Sequence, residues 1–257
     1  MQNITLALIQ TSLHWENKAA NLAMFEEKMQ SITPSADVIF LPEMFTTGFS
    51  MQSHLLAEDM QGATVQWMRQ QAQRLDAVVC GSFIAKNQGQ YYNRLVWMQP
   101  DGHYHTYDKR HLFRMGDEQQ HYSAGTKRLI TEWKGWRFCP MICYDLRFPV
   151  WARNRNDYDV LLFVANWPHR RSAHWKLLLQ ARAVENLSYA VGVNRVGDDG
   201  NNIYHSGDSS VFSPRGELMW QQTDDEAIEV VELKAHDLLE YRQVFPAHLD
   251  ADEFDIR

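Results

Sequence analysis

Short apolar runs recur along the chain. Segments of helical period separate some of them and tight turns separate others, and no other feature restricts the fold as much. "ITLALIQ" (4–10), "ADVIFLPE" (36–43) and "DAVVCGSFI" (76–84) each read as a buried strand. Between them, Leu22, Phe25, Met29 and Ile32, and then Val65, Met68, Ala72 and Leu75, fall at helical spacing and give two helices an apolar face each. "YYNRLVWMQ" and "HYHTYDK" flank Pro100-Asp101-Gly102, a turn tripeptide, and so form a hairpin. "WRFCPMICYD" is a further strand, where Pro140 predicts an edge or a bulge because proline donates no ladder bond. "YDVLLFVANW" (158–167) follows a short polar helix. Trp175, Leu178, Leu179, Ala183 and Leu187 mark the longest helix, and "SYAVGVNRVG" is again a strand. A second hairpin turns around Ser213-Pro214-Arg215-Gly216, and "EAIEVVEL" alternates like a half-buried strand. Strands that alternate with helices but are interrupted by hairpins predict a layered α/β protein with mixed sheets. About ten strands are more than one twisted open sheet holds comfortably, so two packed sheets are expected.

The 257 residues are 45% hydrophobic, enough for a sizeable core. No Gly/Ser/Pro-rich linker or internal repeat divides them, so residues 1–257 read as one domain. The net charge of −7 argues against general nucleic-acid binding, which needs clustered Lys and Arg. No stretch approaches the roughly 18 apolar residues of a membrane span. The N-terminus has no basic n-region before its short apolar run, so a cytoplasmic protein without membrane partners is expected. Cys80, Cys139 and Cys143 are an odd number and give no disulfide framework.

In layered α/β folds, functional groups collect beyond the C-terminal ends of strands. Three apolar runs here end in chemically useful residues: "VIFLPE" in Glu43, "HYHTYDK" in Lys109 and "FCPMICYD" in Cys143. An acid, an amine and a thiol make an acyl-transfer set. The carboxylate takes the thiol proton, and the ammonium together with a backbone N–H, here that of Tyr144, stabilises an oxyanion. Each residue alone has an ordinary explanation: a solvated turn acid, a surface lysine, a packed cysteine. The C-x3-C pair is a poor zinc signature, and His103 and His105 have no third ligand in view.

Taken together, "LPEMFTTGF" (41–49), "YDKRHLF" (107–113) and "CYDLRFP" (143–149) resemble the three signature blocks of the nitrilase superfamily of carbon–nitrogen hydrolases. "ANWP" (165–168), the segment 173–197 and "GDSSVFSPRGE" (207–217) resemble its later blocks, and the resemblance extends to about residue 235. It implies a four-layer α-β-β-α sandwich of two mixed sheets packed face to face, and a homodimer paired through the outer helices. The segment from about residue 236 is then an expected extension at the interface. It also implies a Glu-Lys-Cys triad on Glu43, Lys109 and Cys143, with a second glutamate at Glu118, seven residues before Gly125. Neither a metal nor an organic cofactor is implied. "FTTGF", "KRHLFRMGDE" and "NWPHRRSAHW" are most similar to the bacterial omega-amidase branch, whose substrates are small 2-oxo dicarboxylic acid monoamides such as 2-oxoglutaramate. The carboxylate of such a substrate needs a cation, for which Arg170 and Arg171 are the candidates. Phe45, Tyr92 and Trp167 are expected as apolar walls. The alternatives are another amide-type substrate (an N-carbamoyl amino acid, an aliphatic amide or a nitrile), an inactive dimeric binding protein, and a metal or redox role for the cysteine pair.

Overall fold

The computed structural model describes residues 1–33 and 35–256. The chain enters through β1 (Ile4–Gln10), crosses by α1 (Lys18–Gln30) to β2 (Val38–Phe40), and passes α2 (Ser53–Leu56) and α3 (Ala63–Leu75). It then runs antiparallel through β3 (Val78–Asn87), β4 (Gln90–Met98) and β5 (Tyr104–Asp108). The one-turn α4 (Glu118–His121) leads to β6 (Thr131–Trp133), β7 (Trp136–Ile142), α5 (Pro149–Ala152), β8 (Val160–Ala165), α6 (Ser172–Asn186) and β9 (Tyr189–Asn194). The remainder is β10 (Val196–Asp198), β11 (Tyr204–Phe212), β12 (Leu218–Thr223), β13 (Ala227–Leu233) and α7 (Ala235–Val244).

Two mixed sheets result. One has the order β13-β1-β2-β3-β4-β5, and the other runs β10-β11-β9-β8-β7-β6 with β12 paired to β11. In each, three consecutive parallel strands (β1–β3 and β7–β9) carry antiparallel neighbours. Period-two alternation sorts the side chains into layers. Leu6, Leu8, Val38, Phe40, Val78 and Trp97 face the second sheet, and the Trp97 and Phe138 rings meet 4.8 Å apart. Ala7, Ile9, Ile39 and Val79 face the other way, onto Phe25 and Met29 of α1 and Val65 and Met68 of α3. On the outer face of the second sheet, α6 lies so close that a Cβ at Gly192 would come within 2.5 Å of Leu179 and 2.6 Å of Trp175. The layers are α-β-β-α, as expected.

The departures have local causes. Among the described residues there are thirteen strands, because "SYAVGVNRVG" breaks at Arg195 into β9 and β10 and because β6 and β10 have only three residues each. In "ADVIFLPE" only Val38–Phe40 pairs, and Leu41 to Glu43 leave the sheet. Pro140 is not on an edge strand. β6 pairs only with Trp136 to Phe138, so Pro140 sits where β7 has β8 alone beside it. Leu187 does not extend α6 but ends it in the left-handed region (φ 46°), with its N–H directed at the Ala183 and Val184 carbonyls. Beyond β13, α7 is fastened to the second sheet by Arg242, which donates to Asp159 (2.6 Å) and to the Tyr158 and Leu187 carbonyls (both 2.8 Å). Among the described residues no helix is long and apolar enough to cross a membrane.

Candidate active site

Each of the three strand-end residues is turned inward by its own local device. After β2, Met44 takes a left-handed conformation (φ 43°) and its N–H is held by Ser82 Oγ (2.8 Å), which folds Glu43 back over the sheet end. After β5, the Lys109 N–H donates to the Asn93 carbonyl (3.0 Å), and the Lys109 carbonyl accepts from Gly125 (2.9 Å). Gly125 must lack a side chain there, since a Cβ would lie 2.0 Å from the Asp108 carbonyl. After β7, Cys143 itself is left-handed (φ 44°), an uncommon backbone state for a residue with a Cβ. Asp145 holds that turn. It is fully buried and accepts from the Ile142 N–H (3.1 Å), the Tyr107 hydroxyl (2.7 Å) and the His111 N–H (2.9 Å). Tyr107 and His111 lie two residues either side of Lys109, so one carboxylate locks the thiol turn to the lysine segment. Asp145 is therefore a turn-holding residue.

The two sheet ends bring Glu43, Lys109 and Cys143 together, and Glu118 joins them. Lys109 Nζ lies 2.8 Å from Glu43 Oε1 and 3.0 Å from the Glu118 carboxylate, and all three side chains are buried. Glu118 also accepts from the Phe113 N–H (2.6 Å), so it is no solvated loop acid. The Cys143 thiol lines the same cleft as Glu43, Lys109 and Asn166. Burial pushes the thiol pKa well above its ordinary value, the Glu43 charge pushes it further, and Lys109 pulls it back. Burial works against the Lys109 ammonium, but Glu118 and Glu43 outweigh it and hold its pKa above the ordinary lysine value. The Glu118 pKa is raised by burial, opposed by Lys109 and reinforced by Glu43. At neutral pH the site therefore holds a protonated thiol and an ammonium beside two acidic side chains. Such a set can move a proton off sulfur as a carbon–sulfur bond forms.

The cleft above the thiol has three walls. Phe49, Phe113 and Met115 form one, and Trp167, Arg170 and Arg171 another. The third is the β10–β11 hairpin, with Asp199, Asn201, Ile203 and His205. Burial and Arg195 pull the His205 pKa down to about 4, so its imidazole is a neutral wall. Arg171 is half-buried, its guanidinium 5.0 Å from the Phe113 ring centre, and Trp167 Nε1 holds its carbonyl at 2.8 Å. Arg170 is exposed at the rim. Burial, together with Arg170 and Arg147, lowers the Arg171 pKa, as a cation without an anion requires. Among the described residues neither Arg170 nor Arg171 has a carboxylate partner.

Two expected wall residues are not at the cleft. Phe45 packs in the layer between the first sheet and its helices, 5.5 Å from the Phe25 ring and 5.8 Å from Trp67. Tyr92 is on the opposite face of β4 from the site, with its hydroxyl on Gln90 and Arg94 over its ring (5.2 Å). Its neighbour Asn93 points in, donating to Glu43 Oε1 (2.8 Å) and Glu118 Oε1 (3.3 Å). Asn166 follows β8 and gives its N–H to Glu43 Oε2 (2.7 Å) and its side-chain amide to the Glu43 carbonyl. Neither amide was read from the sequence, although Asn166 satisfies the same strand-end criterion as Cys143. Cys139 is buried in the core, its pKa pushed up to about 12 by burial, which leaves it an inert thiol. Among the described residues no three His, Cys, Asp or Glu side chains are grouped as a metal ion needs.

The sequence profile of the carbon-nitrogen hydrolase family matches residues 5–243. The chain belongs to the carbon-nitrogen hydrolase family. It is a hydrolase of amide carbon–nitrogen bonds with the nitrilase-superfamily fold. This carbon-nitrogen hydrolase is 48% identical over 258 residues to the omega-amidase YafV of Escherichia coli (strain K12), with 99% of each chain covered. It is 30% identical to the 2-oxoglutaramate amidase of Bacillus subtilis (strain 168), with 96% of each covered. The crystal structure of XC1258 from Xanthomonas campestris, a CN-hydrolase superfamily protein with an arsenic adduct in its active site, superposes with a TM-score of 0.98 at 44% identity over the whole of both chains.

Proposed function

We propose that this hydrolase removes the terminal amide of 2-oxo dicarboxylic acid monoamides, such as 2-oxoglutaramate and 2-oxosuccinamate, releasing ammonia and the 2-oxo diacid. One observation carries this reading: a buried thiol, carboxylate and ammonium line a cleft that also bears Arg171, which has no anionic partner among the described residues. The names of the E. coli and B. subtilis relatives support it.

Glu43 takes the Cys143 proton as sulfur attacks the amide carbon. Lys109 and the Tyr144 N–H hold the oxyanion. Collapse breaks the carbon–nitrogen bond, and Glu43 passes its proton to the departing ammonia. The resulting thioester is attacked by water, whose proton goes to Glu43, and a second collapse returns the thiolate and then the thiol. Glu118 keeps Lys109 charged and in place. Every step uses only groups of the chain and water. Arg171, with Arg170 at the rim, pairs with the substrate carboxylate and Trp167 flanks the chain between the two ends.

Ammonia release from omega-amides, N-carbamoyl amino acids, aliphatic amides and nitriles tests the reading. The omega-amides are expected to lead by 10²-fold or more in kcat/KM, and Arg171→Gln is expected to raise their KM roughly 10- to 100-fold with a smaller change in kcat. Preference for a carbamoyl or nitrile substrate would refute the omega-amide assignment. Failure on every substrate would favour the inactive binding protein.

The protein is also read as a homodimer. Leu177 (66% exposed) and Val184 (48%) stand seven residues apart on the outer face of α6, with exposed Leu218 and Met219 on β12. An isolated monomer seldom leaves such a helix face bare. Sedimentation equilibrium should give twice the chain mass of 30.1 kDa, and Leu177→Glu should give the single mass.

A further inference from the structure

We propose that Asn93 is the positioning residue that decides which oxygen of Glu43 acts as the base. The inference rests on the proposed mechanism and goes beyond it.

Asn93 lies on β4, fully buried, and bonds to both glutamates of the site and to the backbone of Lys109. Its Nδ2 donates to Glu43 Oε1 (2.8 Å) and to Glu118 Oε1 (3.3 Å). Its backbone carbonyl accepts the Lys109 N–H (3.0 Å), while Lys109 Nζ donates to the same Glu43 Oε1 (2.8 Å). Each oxygen of a carboxylate offers about two acceptor positions. Glu43 Oε1 therefore has both positions filled, by an amide and an ammonium. Oε2 holds one donor, the Asn166 N–H (2.7 Å), and keeps one position open. That open position is the one a thiol proton can enter. The carboxylate cannot rotate to offer Oε1 without breaking two bonds.

The residue type fits this role better than a packing role. Asn93 Oδ1 is buried and has no partner among the described residues. An unmet buried acceptor lowers stability, and an apolar or hydroxyl side chain would avoid it. The amide is accounted for by its donor end. It must also be neutral. Two carboxylates already share one ammonium, so a third acid would repel them and a second cation would weaken Glu43 as a base. The other titratable groups facing this pair are Lys109, Cys143 and Tyr122, and the Tyr122 hydroxyl is directed to the Ser50 carbonyl.

The test is the pH profile of three variants, Asn93→Leu, Asn93→Asp and Asn93→Ser, read in two ways: kcat/KM for 2-oxoglutaramate, and the rate of Cys143 alkylation by iodoacetamide. The alkylation reading needs no substrate, so it stands even if the omega-amide assignment fails. Removing a donor from a carboxylate raises its pKa, so the acid limb moves to higher pH. Asn93→Leu should move it by about one unit and lower kcat roughly 10- to 100-fold, with KM changed less than about threefold. Asn93→Asp should move it further, and Asn93→Ser, which keeps a donor, should restore part of the loss. A purely structural residue would lower the active fraction and leave the limb in place. An unmoved acid limb in the folded variants would overturn the proposal. Failure of all three to fold would assign Asn93 to the core and overturn it as well.

Discussion

Replacing Cys143 with alanine abolishes ammonia release, by about 10⁴-fold or more, in a protein that still folds and still binds its amide. The size of the loss follows from covalent chemistry. Without sulfur no thioester forms, and Glu43 and Lys109 are left to assist a direct attack by water on a stable amide. The fold survives because the change deletes one atom on a turn that is held through the backbone of the preceding residue, Ile142, by Asp145 and by pairing with β8, not through the thiol. Melting temperature and circular dichroism check the fold, and an ammonia assay checks the loss. The control is Cys139→Ala. Its thiol is buried in the core and far from neutral reactivity, so activity should stay within about twofold while stability falls by roughly 1 kcal/mol for the lost packing.

Replacing Lys109 with methionine costs both activity and stability. The oxyanion loses its charged donor, which is worth about 10²–10³-fold in rate. Glu43 and Glu118 lose the cation between them while remaining buried, and breaking a buried pair in this way costs about 3–5 kcal/mol. The pH dependence has a definite sign. In the wild-type protein the Lys109 pKa is raised on folding, so its contribution is fully present at neutral pH and fades only in strong alkali. In the methionine variant, burial and Glu43 raise the Glu118 pKa without the opposition of Lys109, and the Phe113 N–H still pulls it down. The native state then binds more protons than the unfolded chain above the unfolded carboxylate pKa. The variant's stability therefore falls as pH rises from about 4.5 towards neutrality, and falls more steeply than that of the wild type, where Lys109 holds back the rise of the Glu118 pKa. Denaturant unfolding at pH 5 and pH 8 measures it, and equal stability at the two values would contradict this account.

Glu43, Lys109 and Cys143 were legible because an acid, an amine and a thiol are conspicuous directly after apolar runs, and because three blocks in order are hard to produce by accident. Asn93 and Asn166 were not, since an amide carries no charge and announces no chemistry of its own. The choice between Tyr92 and Asn93 illustrates the difficulty. Adjacent residues on a strand point to opposite faces, so a one-residue change in the assumed phase puts the aromatic in the cleft and the amide outside. Phe45 and Phe49 pose the same problem on a turn. The left-handed step at Met44 sends Phe45 into the core and leaves Phe49 beneath the Lys109 ammonium, 5.0 Å away, and no periodicity reports that step. The layers themselves were readable from hairpins placed among helical segments. The walls of the cleft were less so, because Asp199, Asn201 and Ile203 come from a polar hairpin tip whose position depends on tertiary packing. Gly200 there admits no side chain against Trp15, whose indole a Cβ would meet at 2.3 Å.

The most direct measurement is a rapid acid quench of the enzyme turning over 2-oxoglutaramate, followed by peptide mass spectrometry, with hydroxylamine as a competing acceptor. The account predicts a transient 2-oxoglutaryl group on the Cys143 peptide and the matching hydroxamate in solution, both absent from Cys143→Ala. Continued ammonia release with the Cys143 peptide unmodified at every quench time, and with no hydroxamate formed, would contradict it.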